Sequence, residues 1–272
     1  MRADARELWT APGGRLIERP HSECRNDSQQ HGQQQASDLS MKDIIARNLA
    51  AVRDDIADAC SRADRAVESV RLVAVTKYAQ WDWVEALAAE YQTFGESRPQ
   101  QLAERRVLLP QAEWHLIGQL QRNKVRIAVQ SAAMIHSVDS LKLLERIALV
   151  ARELSVRPHV LLQVNVSAEQ SKSGFTPDDL VASWHDVVAC HESVEIAGLM
   201  TMAPASDDQE DARPCFRALA ILRDQLRSCD AGANVQLALP ELSMGMSGDF
   251  AVAIEEGGTL VRVGRRLFAG LA

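Results

Sequence analysis

Apolar residues along most of this chain fall into two repeating patterns: short β-branched runs and longer stretches with three- and four-residue spacing. The first pattern is typical of buried strands and the second of amphipathic helices. The predicted strands are Val70–Lys77, Thr93–Gly95, Glu113–Ile117, Met134–His136, His159–Val166, Val194–Met200, Glu241–Ser243 and Thr259–Val263.

Helical patterns lie between these strands, and one precedes the first strand. They predict helices over Met41–Ile56, Asp82–Glu90, Ser140–Glu153, Pro177–Ala189, Asp208–Arg227 and Gly248–Glu256. The alternation favours an α/β protein built as a (β/α)₈ TIM barrel. An open doubly wound sheet is the alternative, but it usually has a glycine-rich turn after its first strand, and here that turn reads Lys77-Tyr-Ala-Gln80.

The first 40 residues are polar and show no sustained hydrophobic period. They are predicted to be a disordered N-terminal extension, and 41–272 a single barrel domain. Because the first helical pattern opens at Met41, this methionine is a candidate for the true start.

Composition narrows the function classes. The 272 residues carry a formal net charge of −7, which argues against an extended nucleic-acid surface. The five cysteines are scattered without a CxxC pair, so we expect free thiols in a reducing cytoplasm and no metal site. No run approaches the roughly 20 apolar residues of a membrane span.

Lys77 is the first candidate for chemistry, because it follows an apolar strand and barrel active sites form where strands end. Partial desolvation beside the core would favour the neutral, nucleophilic amine. An ordinary surface lysine at a strand end is the alternative.

Two glycine-containing turns in the last third form a second candidate. Ser243–Asp249 and Val261–Arg265 both lead from a strand toward a helix. Backbone N–H groups there, with Ser247, could hold a phosphate, and barrels often bind phosphate after strands seven and eight. Alternatively, the glycines serve tight turns only and Ser247 is a helix cap.

Arg262 alternates with Val261 and Val263 along the last strand, so it should point to the opposite face. A charge there needs a partner. It could pair with an acid such as Glu241, or meet a ring nitrogen or acidic group of a ligand.

Taken in order, these segments resemble the pyridoxal phosphate homeostasis protein family from about Met41 to the C-terminus. The motifs are Val73-Ala-Val-Thr-Lys77, Phe94-Gly-Glu-Ser97, Trp114-His-Leu-Ile-Gly-Gln-Leu-Gln-Arg-Asn-Lys124, His136-Ser-Val-Asp-Ser140, Leu162-Gln-Val-Asn165, Lys172-Ser-Gly174, Gly198-Leu-Met-Thr201, Leu242-Ser-Met-Gly-Met-Ser-Gly-Asp249 and Val261-Arg-Val-Gly264. The resemblance implies a fold-type III barrel, like the N-terminal domain of alanine racemase, that binds pyridoxal 5'-phosphate (PLP) at its carboxyl-end mouth.

The resemblance also implies roles for individual residues. Lys77 would hold PLP as a Schiff base, and Arg262 would face its pyridine nitrogen. The remaining cofactor site would comprise Ser97, His115, Met200, Ser243, Met246, Ser247, Gly264 and Arg265. The family commonly has Asn at the position of Ser97 and Thr at that of Arg265, so we expect a weaker contact near the ring and no side-chain hydroxyl from residue 265 at the phosphate.

The resemblance implies a protein of intracellular PLP homeostasis that buffers or delivers the cofactor, with PLP-dependent apoenzymes as candidate recipients. No catalytic residue is assigned, because an arginine at the ring nitrogen makes PLP a poor electron sink. A PLP-dependent racemase of the alanine racemase type is the alternative, although those enzymes carry a further domain for which we expect no room here. Tyr78 should point away from Lys77. A phosphate-binding barrel enzyme unrelated to PLP is a third possibility, and either a monomer or a weak dimer is expected.

Overall fold

The computed structural model describes residues 40–167, 173–229 and 235–271. The predicted disordered extension, apart from Ser40, lies outside the described residues, as does Cys24.

Eight parallel strands close into a barrel in which each strand pairs with its neighbours in sequence and β8 pairs with β1. This confirms the predicted (β/α)₈ barrel and excludes the doubly wound sheet. The strands are β1 (Arg71–Val75), β2 (Thr93–Glu96), β3 (Glu113–Leu116), β4 (Met134–Val138), β5 (His159–Gln163), β6 (Glu195–Met200), β7 (Glu241–Ser243) and β8 (Leu260–Val263).

Helices surround the barrel, and α1 precedes the first strand. Their bounds are α1 (Met41–Arg62), α2 (Trp81–Ala88), α3 (Pro99–Leu108), α4 (Val125–Ser131), α5 (Leu141–Leu154), α6 (Pro177–Ala182), α7 (Trp184–Ala189), α8 (Arg213–Ser228) and α9 (Phe250–Glu255). Apolar faces of these helices pack against the strands and against neighbouring helices, and they form one large core.

Two stretches predicted as continuous helices are interrupted in the structure, so that prediction was wrong. The stretch 177–189 is broken at Ser183, whose hydroxyl donates to the Asp179 carbonyl at 2.7 Å and so competes with the helical ladder. The stretch from Asp208 begins as a 3₁₀ turn over Gln209–Ala212, and α8 starts only at Arg213, with a proline in its first turn.

Side chains along β1 alternate between two apolar cores, which the strands of the barrel separate. Leu72 and Ala74 face the large core shared with the helices, whereas Val73 faces the barrel interior. The interior cluster of Val73 is completed by Met134, Leu161, Ala197, Met200 and Leu260. Because the interior is filled, ligands can enter only at the ends of the barrel.

Helix α1 joins the beginning of the described chain to its end. Its N-terminus has a capping box between Ser40 and Asp43. Its buried face contacts α2 and α9, and the Asn48 side chain donates to the carbonyls of Leu267 and Ala269 at 3.2 and 2.9 Å. This helix therefore links the first described residues to the last turn after β8.

None of the helices in the described part of the chain is long and apolar enough to cross a membrane. Among the same residues there is also no cluster of three or more His, Cys, Asp or Glu side chains that could hold a metal ion.

Candidate functional site

A cavity of about 950 Å³ opens at the carboxyl ends of the strands, which we call the mouth. It receives side chains or backbone from turns on opposite sides of the barrel. Seven of the residues predicted from sequence line it: Lys77, Ser97, Met246, Ser247, Arg262, Gly264 and Arg265.

Lys77 lies in a turn, because β1 ends at Val75 and not at Lys77 as predicted. The lysine is exposed at the mouth, which corrects the expectation that its stem is desolvated beside the core. Its Nζ lies 5.1 Å from the ring centroid of Tyr78, which also lines the mouth. The expectation that Tyr78 points away was therefore wrong, since strand alternation has already ended at this turn.

A buried ion pair holds this turn from below. Arg105 on α3 lies 2.8 Å from the Glu96 carboxylate, and its guanidinium also donates to the carbonyls of Thr76 and Ala79 at 2.9 and 3.0 Å. Glu96 in turn accepts from the Ser97 backbone N–H at 2.9 Å. The two carbonyls bracket Lys77, so the pair fixes the backbone that carries the amine.

Arg262 is held differently, through its own side chain. The buried guanidinium donates to Ser243 Oγ at 2.6 Å and to the Thr201 carbonyl at 2.9 Å. Burial lowers the pKa of Arg262 to about 10, with Asp249 acting in the opposite direction, so the group stays charged at neutral pH. Glu241 is not its partner: Glu241 pairs with Arg71 at 2.8 Å, at the other end of the strands.

The turns after β7 and β8 present free backbone donors to the mouth. Within the described residues, no hydrogen bond engages the backbone N–H groups of Ser247, Gly248, Gly264 and Arg265. Gly245 shapes the first turn: its φ is +88°, and a Cβ there would lie 2.6 Å from the Cβ of Ala253. Gly248 is different, because a Cβ there would meet no atom within 4 Å.

Three residues assigned to the cofactor site from sequence, His115, Met200 and Ser243, do not line the mouth. All are buried in the barrel interior beneath it. Met200 packs in the interior apolar cluster, and the other two belong to a buried polar chain that reaches Arg262. Their contribution to the mouth is support from below.

Sequence reasoning missed several lining residues. Gln163 ends β5, so the strand-end rule could have found it. Asp249 lies in the same motif as Ser247 and accepts from the Met246 backbone N–H at 2.5 Å. Trp83 and Phe268 carry no chemical signature, and only the fold brings their stacked rings, 5.9 Å apart, to one side of the mouth.

Comparison with known proteins places these observations in a family. The family model described as alanine racemase, N-terminal domain, matches residues 48–271. A pyridoxal phosphate homeostasis protein of Deinococcus radiodurans is 40% identical over 224 residues, which cover 82% of this chain and 100% of the relative. The human protein of the same name is 34% identical over 247 residues, covering 86% of this chain and 89% of the relative.

Comparison with solved structures supports the same family. PipY of Synechococcus elongatus, solved with PLP bound, is 36% identical with a TM-score of 0.71, covering 83% of this chain and all of that one. An alanine racemase of Clostridium difficile has a TM-score of 0.62 at 14% identity, covering 83% of this chain and 56% of that one, which shows a shared fold only. With a matching family model and relatives aligned over most of their length, this chain belongs to the pyridoxal phosphate homeostasis protein family.

Proposed function

We propose that the chain binds PLP at the mouth of the barrel and acts in PLP homeostasis as a carrier that buffers or delivers the cofactor. The observation that carries this proposal is that an amine, a buried guanidinium and a pair of donor-rich turns line one cavity. PLP has an aldehyde, a ring nitrogen and a phosphate, so each group finds a suitable partner.

Different residues of the mouth bind different groups of PLP. Lys77 supplies the amine that condenses with the aldehyde, forming a C=N bond and releasing water. Ser247, Gly264 and Arg265 hold the phosphate through their backbone N–H groups, with Met246 beside them. Ser97 also lines the mouth and would contact the cofactor there, while His115, Met200 and Ser243 support the floor.

Arg262 favours a carrier over an enzyme. A guanidinium has five N–H donors and no acceptor, and burial leaves its pKa far above neutral pH. A ring nitrogen that accepts from Arg262 stays unprotonated, which weakens the electron-withdrawing power that bound PLP supplies. We further propose a monomer or weak dimer in the cytoplasm, with PLP-dependent apoenzymes as recipients.

Tyr78 supports a second candidate, a PLP-dependent racemase. Its hydroxyl-bearing ring shares the mouth with Lys77, where a general acid or base for a bound amino acid would be needed. Chiral assay of D- and L-alanine with the wild type and Tyr78→Phe decides between the two. Turnover that Tyr78→Phe abolishes supports the enzyme, and no interconversion supports the carrier.

The absorbance spectrum of the purified protein with added PLP tests the main proposal. We expect a visible band that borohydride reduction removes, leaving PLP attached to the peptide containing Lys77, as mass spectrometry would show. Lys77→Ala should lose both signals, while Lys142→Ala, which changes an exposed lysine of α5, should keep them. A wild type without the band, or label on another lysine, would contradict the proposal.

A further inference from the structure

A continuous chain of buried hydrogen bonds crosses the barrel interior below the mouth. From Arg262 it runs to Ser243 Oγ (2.6 Å), to His136 Nδ1 (2.8 Å), from His136 Nε2 to His115 Nδ1 (2.9 Å), and from His115 Nε2 to Glu113 (2.9 Å). We call these five residues the barrel relay. It starts at the mouth and ends at the amino end of β3.

The two ends of the barrel relay limit which groups donate hydrogen bonds along it. A guanidinium can only donate hydrogen bonds, and an ionised carboxylate can only accept them. Ser243 accepts from Arg262 and keeps its own proton, and His136 Nδ1 lies within reach of that proton. When Ser243 donates to His136 Nδ1, His136 donates from Nε2 to His115, and His115 donates from Nε2 to Glu113. In this arrangement, which we expect, both histidines are neutral and carry their proton on Nε2.

The electrostatic surroundings favour a neutral His136. Burial lowers the pKa of His136 well below its ordinary value, and the positive charges of Arg262 and Arg71 act in the same direction. The hydrogen bond from His115 lowers the pKa of Glu113, helped by Arg71 and opposed by burial. Glu113 therefore stays ionised and continues to accept.

We propose that the barrel relay fixes the orientation of Arg262 toward the ring nitrogen of bound PLP, with His115 and His136 as positioning residues. This role rests on the proposed function. A guanidinium does not release its proton near neutral pH, so the barrel relay orients Arg262 and does not conduct protons to it.

The barrel relay also connects the mouth with the opposite end of the barrel. The Glu113 side chain is 39% exposed there and lies 3.7 Å from Arg71, whereas His115 and His136 are completely buried. A change at Glu113 therefore reaches the cofactor site through the histidines, without altering any residue that lines the mouth.

Nitrogen NMR of ¹⁵N-histidine-labelled, ligand-free full chain tests the direction. We expect both His115 and His136 as neutral Nε2–H tautomers at neutral pH, assigned by the loss of signals in His115→Gln and His136→Gln. A neutral Nδ1–H form or a doubly protonated ring at either position would overturn the barrel relay. This result does not depend on PLP.

Glu113→Gln tests the positioning role, because an amide can donate as well as accept and so removes the fixed end. We expect mixed histidine tautomers, a PLP Kd raised about tenfold, as for loss of one charge-assisted hydrogen bond, and a shifted pH profile of the bound-PLP absorbance. His159→Gln, at the exposed amino end of β5, is the control and should match the wild type.

The outcomes separate the two proposals. Mixed tautomers in Glu113→Gln with an unchanged PLP Kd and pH profile would overturn the positioning role alone. A wild type that takes up no PLP would overturn the proposed function, and with it the positioning role, while the tautomers of the wild type would still decide the direction of the barrel relay.

Discussion

Lys77 and Arg262 line the same cavity, but the structure holds the two side chains in opposite ways. Lys77 is exposed: a neighbouring ion pair holds the backbone on both sides of it, while its amine lies over the Tyr78 ring at the mouth. Arg262 is buried, and hydrogen bonds hold its side chain at the end of the barrel relay. An amine that forms and breaks a bond to the cofactor, as proposed for Lys77, needs a mobile side chain. A guanidinium that keeps a ring nitrogen unprotonated, as proposed for Arg262, needs a fixed orientation.

The β1 side of the mouth should be the more sensitive to a lost charge. Arg105→Met leaves the Glu96 carboxylate buried without its partner, so we expect a loss of about 3–5 kcal/mol in the free energy of unfolding. Denaturant titration measures this loss. PLP should also be captured more slowly, because the turn of Lys77 is released.

Arg126→Met provides the matched control, since Arg126 pairs with Glu153 at the surface and about 1 kcal/mol or less is expected. Adding Glu96→Gln to Arg105→Met should recover part of the stability. Equal losses from Arg105→Met and Arg126→Met would mean that the buried pair does not anchor the turn.

The turn after β7 offers a contrast between two glycines. Gly245→Ala places a Cβ against Ala253 at a φ of +88°, so we expect a loss of about 1–3 kcal/mol or more in unfolding free energy. Gly248→Ala meets open space and should leave stability nearly unchanged, but Gly248 lines the mouth, so we expect the added methyl group to weaken PLP binding. Thermal unfolding with and without PLP measures both effects, and a stable Gly245→Ala would contradict the strain argument.

Acid should weaken the barrel through His136. Its pKa is lower in the folded protein than the ordinary value of about 6.5 that applies after unfolding, so the unfolded chain binds the proton first as the pH falls. Stability should therefore decrease below about pH 6.5, by up to about 1.4 kcal/mol per pH unit, until the pH passes the folded pKa.

His136→Gln should flatten this region of the curve of unfolding free energy against pH. Glu113, whose pKa is lowered on folding, loses its contribution only at lower pH, as the pH falls from its ordinary value of 4.5 through the folded pKa. The variant should therefore keep that later acid loss. An unaltered slope between about pH 6.5 and 5 would assign the acid sensitivity to other groups.

Arg265→Thr should have the smallest effect. The side chain is exposed, and the backbone N–H offered to the phosphate remains. We expect the PLP Kd, measured by absorbance titration, to change by about threefold or less. A much larger change would show that the guanidinium itself holds the phosphate.

The order of strands could be predicted because each β-branched run, such as that ending before Lys77, lies between helical patterns. The sequence could not predict how deep in the barrel each inward-facing side chain lies. His115 and Ser243 belong to motifs that also contain lining residues, but strand stagger in a closed barrel sets whether an inward side chain reaches the mouth or the interior. The Arg105 contact was missed because it joins a helix to a turn through backbone carbonyls, which leaves no spacing signal.

The contacts of Asn48 have a consequence for the newly made chain. Asn48 cannot form its hydrogen bond to the Leu267 carbonyl until another 219 residues have been synthesised. Likewise, β1 cannot close the barrel until β8 has been synthesised. At ordinary translation rates roughly 10 to 40 s separate the synthesis of β1 from that of β8, and during this time one edge of β1 has no strand partner. The nascent polypeptide therefore has an open sheet edge, and chaperones that bind such edges would act on it before β8 is made.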